Sequence, residues 1–244
     1  MDEHSLHSPF IYGLYKDIIS KENTNPIFEG IEKVRGSLRA NHKEIKIHDL
    51  GAGSLVSKNE RRKISAIARY GLTTPRNSRL YSRLIEHVGA ATVLELGTSL
   101  GVNTMYMASP LCVKKVITVE GCPEIASVAT HNFSGFSSSK IELLNQPIDQ
   151  ALDHIFNRVN RLDFILFDAH HTYDATMGYY HRCKSYIHEH SVLIFDDIHW
   201  SKEMTQAWDQ IRQEVEVTLT IDLFDIGIVF FRKELEKEDY VLRR

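Results

Sequence analysis

Val93-Leu94-Glu95-Leu96-Gly97-Thr98-Ser99-Leu100-Gly101 decides the fold. An apolar run of strand character meets a Gly-x-x-x-Gly turn, and the helix-compatible stretch Val102 to Ala108 follows it. Glycines at such a junction let the backbone turn sharply and come close to a ligand, while the next helix offers free N–H groups to a carboxylate or phosphate. The same pattern serves equally as a tight strand-to-helix turn in any Rossmann-like domain. What surrounds it has to separate the two readings.

Toward the C-terminus, four more β-rich apolar runs alternate with longer helical stretches: Lys115 to Val119, Ile141 to Leu144, Phe164 to Phe167 and Val192 to Phe195. With Thr92 to Leu96 these make five, the signature of βαβ units and a parallel sheet. In open α/β sheets ligands bind beyond the carboxyl ends of the strands. The residues at those ends are Gly97, Glu120, Asn145 with Gln146, Asp168, and Asp196 with Asp197. The tail reads as two further strands, Thr218 to Phe224 and Ile226 to Phe231, joined through Asp225 and Gly227 as a closing antiparallel hairpin. The expected fold is α/β, a doubly wound Rossmann-like sheet, mostly parallel with a C-terminal antiparallel hairpin. An N-terminal helical extension over residues 1–85 precedes the main domain at residues 86–244.

In that extension, residues 1–40 carry apolar clusters at helical spacing, broken at Asn23-Thr24-Asn25-Pro26, with another helix expected from Ile27 to Leu38. Asp49-Leu50-Gly51-Ala52-Gly53-Ser54 looks like a second glycine turn, but no acid-capped strand follows at the right distance. It reads as a loop opening a surface helix, with Arg61-Arg62-Lys63 on a solvated face or, alternatively, meeting an anionic substrate. Thr73-Thr74-Pro75 is a candidate flap over the ligand. These N-terminal helices are expected to cover the cleft or to form a dimer contact.

Composition narrows the function classes. With 43% hydrophobic and 25% charged residues in 244, the chain is globular, and one large domain with an appendage suits its length. A formal charge of -3 gives no global attraction for nucleic acid, so no nucleic-acid partner is expected. The three cysteines, Cys112, Cys122 and Cys183, share no CxxC spacing, which fits a reducing, cytoplasmic setting. No apolar run reaches membrane-spanning length, and a soluble protein without a membrane partner is expected.

Glu120 follows Gly97 at close to the roughly 20-residue offset at which an acid ending the second strand grips ribose hydroxyls, which favours an adenosine ligand. The pattern is E-x-G-x-x-x-G rather than the G-x-G-x-x-G that seats a pyrophosphate, which argues against NAD. Over residues 72 to 232 the sequence resembles the class I methyltransferases that use S-adenosylmethionine. The resemblance implies that Glu95, Gly97, Thr98, Ser99 and Gly101 hold the methionine end of the cofactor and that Glu120 with Gly121 takes the ribose. It also implies that Asn145 and Gln146 flank the adenine and that Asp168 borders the cofactor.

Asp168-Ala169-His170-His171 and Asp196-Asp197-Ile198-His199-Trp200 end two strands that lie side by side in such a fold. Three carboxylates gathered there repel one another unless a cation or strong donors compensate. A hard divalent ion is the simplest compensation; Asp197 capping the next helix and Asp168 bonding loop amides is the other. The arrangement resembles the metal-dependent O-methyltransferases of the catechol and caffeoyl-coenzyme A type, which implies Asp168, Asp196 and Asp197 as ligands of magnesium or another divalent ion. The chain departs from that pattern in having Asp-Asp rather than Asp-Asn, and His171 in place of a lysine. Successive strand residues face opposite ways, so Asp196 and Asp197 can share an ion only if the chain turns between them. His171 is the candidate general base, with Asp168 beside it, and Trp200 and Tyr173 are candidate walls for an aromatic acceptor. The expected reaction is methyl transfer to a hydroxyl oxygen of a small molecule. Alternatives are a metal-independent methyltransferase and a non-catalytic binding protein for adenosylmethionine or a nucleotide.

Overall fold

All five apolar runs are strands in the computed structural model, which describes residues 8–21, 25–47, 61–136 and 138–243. The strands are β3 (Thr92–Leu96), β4 (Lys115–Val119), β5 (Ile141–Leu144), β6 (Phe164–Phe167) and β7 (Val192–Asp196). They alternate with α5 (Val102–Ala108), α6 (Pro123–Ser134), α7 (Ile148–Phe156) and α8 (Tyr173–Cys183); α9 (Lys202–Gln213) follows β7. The tail forms β8 (Leu219–Asp222) and β9 (Ile226–Phe230), antiparallel to each other as expected. A strand that the sequence did not announce, β10 (Glu238–Val241), pairs parallel with β8 at the edge. Its polar residues alternate too briefly to signal a strand; β8 supplies the register.

The eight strands run in the order β10-β8-β9-β7-β6-β3-β4-β5. Only β9 runs against its neighbours. The chain leaves β3 toward β4 and β5 and then returns to place β6 on the other side of β3. That reversal opens a crevice beyond the carboxyl ends of β3 and β6, where a doubly wound sheet binds its ligand.

Residues of one strand alternate between two cores. Val93, Val116, Phe164, Leu166, Val192 and Ile194 face one layer, while Leu94, Ile117, Ile165, Phe167, Leu193 and Phe195 face the other. Helices α7, α8 and α9 cover the second face with Leu152, Ile155, Tyr180, Cys183, Trp208 and Ile211. Burial on both faces explains why the strands read as unbroken apolar runs. Each such Leu, Ile or Phe contributes about 1.5–3 kcal/mol from removal from water.

Before β3 lie α1 (Pro9–Leu14), continued by a π-helical turn to Ile19, then α2 (Pro26–Ala40), α3 (Ile64–Tyr70) and α4 (Pro75–Val88). Ile11, Leu14 and Ile19 join the first core together with Leu80, Tyr81 and Leu84 of α4. The expected helix at Ile27 to Leu38 is thus α2, capped by the Asn25 side chain accepting from the Ile27 N–H. The Arg61-Arg62-Lys63 cluster corrects an expectation: it is not a solvated helix face. It is strand β2 (Arg61–Lys63), antiparallel to β1 (Glu44–Lys46), and α3 begins only at Ile64. Its partner strand lies 15 or more residues upstream, out of reach of a local pattern. The glycine stretch Asp49 to Ser54 lies outside the described residues. Among the described residues no helix is long and apolar enough to cross a membrane.

Candidate active site

Gly97 ends β3 at φ +104°, in the left-handed half of backbone space. A Cβ built there meets the Asp168 carbonyl oxygen at 2.0 Å, so only glycine lets the loops after β3 and β6 lie against each other. Both loop amides turn back on the sheet: the Gly97 and Thr98 N–H groups donate to the Val119 carbonyl at 3.1 and 3.0 Å. Gly101, at φ +79°, seats the start of α5 against the Phe133 ring. Thr98 is buried and bonds the Thr118 hydroxyl, whereas Ser99, at φ +49°, faces the crevice.

Glu95 sits beneath this loop with no exposure. Thr104 and Thr118 hydroxyls donate to its Oε2 at 2.5 Å, and the Asn103 amide approaches Oε1 at 3.4 Å. Burial pushes its carboxyl up to about 8 against the pull of those hydroxyls, and the Asp168 charge raises it further. Glu95 therefore braces β3, β4 and α5 from inside.

Glu120 occupies the end of β4 with its carboxylate already oriented. Oε2 accepts from the Ser99 N–H at 3.0 Å and Oε1 from the Cys122 N–H at 2.9 Å. Burial raises its pKa, opposed by the amides of Cys122, Ser99 and Gly121. The Asn145 side chain donates to the Glu120 carbonyl at 2.7 Å, fixing the loop from behind. Asn145 and Gln146 themselves do not line the cavity, and the residues after β5 that do are Pro147 and Ile148.

One cavity of about 320 Å³ joins these groups. Gly97, Ser99, Glu120 and Gly121 lie along it, Cys122, Ile125 and Ile148 give it an apolar end, and Asp168, His170 and His171 border it elsewhere. Four residues from before β3 complete the wall: Ile47, Arg62, Ile67 and Gly71. They carry no strand-end or glycine-turn signal, and of the four only Arg62 belongs to a stretch for which contact with an anionic substrate was an alternative.

Beyond β6, Asp168 accepts from the Thr73 hydroxyl at 3.4 Å and lies 3.7 Å from His171 Nε2. Thr73 thus reaches the site from the stretch singled out as a flap, and the next residue, Thr74, caps α4 by accepting from the Asn77 N–H. His170 and His171 both adopt positive φ, at +66° and +39°, a cost that places the two rings at the cavity rim. Tyr179 holds His170 at 2.6 Å from Nδ1. The Trp200 ring lies 6.1 Å from that of His171 and is 45% exposed, open to an acceptor, whereas Tyr173 packs against the second core.

Asp196 is buried at the end of β7, and Asp197 follows at φ +57°, so the chain turns between the two acids as their sharing of one ion requires. Burial raises the pKa of Asp196 well above the usual range, and the charges of Asp168 and Asp197 add to the effect. Asp168 is raised as well, by burial first, while His171 pulls the other way. Asp197 donates its backbone N–H to the Asp225 carbonyl at 2.8 Å, and the Asn77 side chain donates to the Asp225 carboxylate, closing the hairpin turn onto the acidic centre. Among the described residues, however, no three His, Cys, Asp or Glu side chains are grouped as a metal ion needs. The three acids are near enough to feel one another's charge, but they are not grouped as an ion cage.

Comparison with known proteins agrees with this geometry. Residues 94–198 match a family described as methyltransferase domain. No curated protein matches the chain by sequence. Among solved structures, the O-methyltransferase of Bacillus cereus in complex with S-adenosylhomocysteine is similar at 17% identity and TM-score 0.60, over 91% of this chain and 97% of that one. The Streptomyces achromogenes O-methyltransferase involved in tomaymycin synthesis, in complex with S-adenosylmethionine, gives 15% identity and TM-score 0.58 over 68% of this chain and 86% of its own. The Podospora anserina methyltransferase bound to S-adenosylhomocysteine gives 12% and 0.58 over 88% and 99%. At such identities the likeness establishes the fold.

Proposed function

We propose that this chain, whose residues 94–198 match a methyltransferase-domain family, is a class I enzyme that transfers a methyl group from S-adenosylmethionine to a hydroxyl oxygen of a small molecule. The observation that carries the reading is the Glu120 carboxylate. Both its oxygens are pre-oriented by the Ser99 and Cys122 amides in the cavity that also holds the Gly97 turn, Asp168 and His171. Oxygen as acceptor is supported by the O-methyltransferases among the structural neighbours.

When bound, S-adenosylmethionine supplies the electrophilic methyl group. Glu120 keeps a free lone pair on each oxygen for a ribose hydroxyl, and Cys122, Ile125 and Ile148 offer the adenine an apolar slot. Gly97 and Ser99 line the same cavity and border the methionine end. Methyl transfer is an in-line displacement, so the protein's main task is to hold donor and acceptor aligned in a dry site. Asp168 and His171 face the acceptor end, where the imidazole takes the hydroxyl proton and the Asp168 carboxyl steadies the imidazolium at 3.7 Å. Trp200 provides a flat wall beside His171. No step is assigned to a metal ion, because the donor set is not grouped to hold one.

Calorimetric titration with S-adenosylmethionine and with NAD, with and without magnesium, tests the reading on the wild type and on Glu120→Ala. The expected outcome is micromolar adenosylmethionine binding, weakened at least tenfold in the variant, and none for NAD. Absence of adenosylmethionine binding by the folded wild type sinks the proposal. A magnesium-dependent gain would restore Asp168, Asp196 and Asp197 as ligands.

A further inference from the structure

Arg35 of α2 is 2% exposed, an unusual place for an arginine. Its Nε donates to Glu32 Oε1 at 2.9 Å and its Nη1 to the Thr73 carbonyl at 2.9 Å, while Nη2 is buried with no hydrogen-bond partner. Glu32 is fixed in turn, because the Tyr106 hydroxyl of α5 donates to the same Oε1 at 2.8 Å. A buried ion pair with one donor left bare is a poor source of stability, since desolvation of the guanidinium is only partly recovered. What it does secure is the position of one carbonyl group.

That carbonyl belongs to a segment that matters. Gly71 lines the cavity, the Thr73 hydroxyl reaches Asp168, and Thr74 caps α4, whose Asn77 grips Asp225 behind the acidic centre. The segment 71–74 is thus a strap joining α3 to α4 across the cavity wall. Arg35 holds it through the Thr73 carbonyl, while the hydroxyl of the same residue reaches Asp168. We infer that Arg35 is a positioning residue for methyl transfer: a forked clamp from α2 that sets the strap against Asp168 and so fixes the wall of the cofactor site. The inference rests on the cavity being the adenosylmethionine site, and its test is arranged to fail separately from that reading.

Arg35→Lys is the informative variant, because an ammonium keeps the charge beside Glu32 but lacks the fork that reaches Thr73 as well. Two measurements are made on protein whose melting temperature and near-ultraviolet dichroism match the wild type. The first is the rate of chymotryptic nicking after Tyr70, which is 69% exposed and flanks the strap. A several-fold faster cut in Arg35→Lys is expected, and an unchanged rate overturns the clamp whatever the ligand turns out to be. The second is adenosylmethionine affinity in a cycle of Arg35→Lys with Thr73→Val. Loss of one hydrogen bond's worth of order weakens binding by about 5–10-fold in Arg35→Lys. In the Thr73→Val background the same change costs less than half that factor, because the contact through which Arg35 acts is already gone. Fully multiplicative effects, or no effect of Arg35→Lys, overturn the inference. Should Arg35→Lys fail to fold, Glu32→Gln frees the clamp from its anchor and is read in the same two assays. If the wild type binds no adenosylmethionine, the proposed function falls and the nicking rate alone decides the clamp.

Discussion

Glu95→Gln should stabilise the protein, and increasingly so as the pH rises. Glu95 is completely buried, and that burial pushes its carboxyl from the ordinary 4.5 up to about 8. A folded-state pKa above the unfolded value means that the fold prefers the protonated acid. The stability Glu95 contributes is therefore complete below about pH 4.5 and is lost progressively until about pH 8. Each pH unit inside that window removes about 1.4 kcal/mol, so between pH 5 and pH 7 the wild type gives up about 2–3 kcal/mol on this one group. Glutamine has nearly the same shape and does not titrate. Its oxygen accepts from Thr104 and Thr118 as Oε2 does now. Its amide N–H groups turn toward Asn103, whose buried Oδ1 has no partner and accepts after an amide flip. Urea denaturation of both proteins at pH 5, 6, 7 and 8 is the assay. The difference in unfolding free energy should be small at pH 5 and grow by about 2–3 kcal/mol by pH 7. A difference that stays flat with pH would refute the reasoning, since it would mean that Glu95 does not titrate in this window.

Two other substitutions test the turns on which the site depends. Gly97→Ala places a methyl group 2.0 Å from the Asp168 carbonyl oxygen at a φ of +104°. A loss of about 2–5 kcal/mol together with loss of adenosylmethionine binding is expected, and an alanine variant of native stability would contradict the close approach of the two loops. Phe224 adopts φ +77° at the tip of the β8–β9 hairpin, where its ring is 77% exposed and its N–H donates to Asp222. Phe224→Gly removes that strain at little packing cost and should gain about 0.5–1 kcal/mol in thermal or urea unfolding, whereas a net loss would mean that the ring packs more tightly than its exposure indicates.

The parts of the site legible in the sequence are those that a strand end announces. Gly97, Glu120, Asp168 and Asp196 each close an apolar run, and a doubly wound sheet brings such ends to one edge whatever lies between them. What the sequence could not supply is which groups from outside that repeating pattern complete the site. Thr73 meets Asp168 across 95 residues, Arg35 meets Thr73 across 38, and Asn77 meets Asp225 across 148. None of these side chains differs in type or spacing from those on an ordinary amphipathic helix or its cap. Arg62 was hard to place for a related reason: three consecutive basic residues suggest a solvated face, and only pairing with Ile45 in β1 turns the middle one toward the cavity. The Asn145-Gln146 expectation met the opposite difficulty, because the residues after β5 that line the cavity are the apolar pair Pro147 and Ile148, while Asn145 serves the backbone of Glu120. Polar residues at strand ends are thus divided between contacting a ligand and holding the loop that does. That division is set by which atom a side chain can reach, a tertiary distance rather than a residue type. Asp168 sits where both kinds of contact converge, touched by the Gly97 turn on one side and the Thr73 strap on the other, and it is therefore the residue whose environment the N-terminal segment controls most directly.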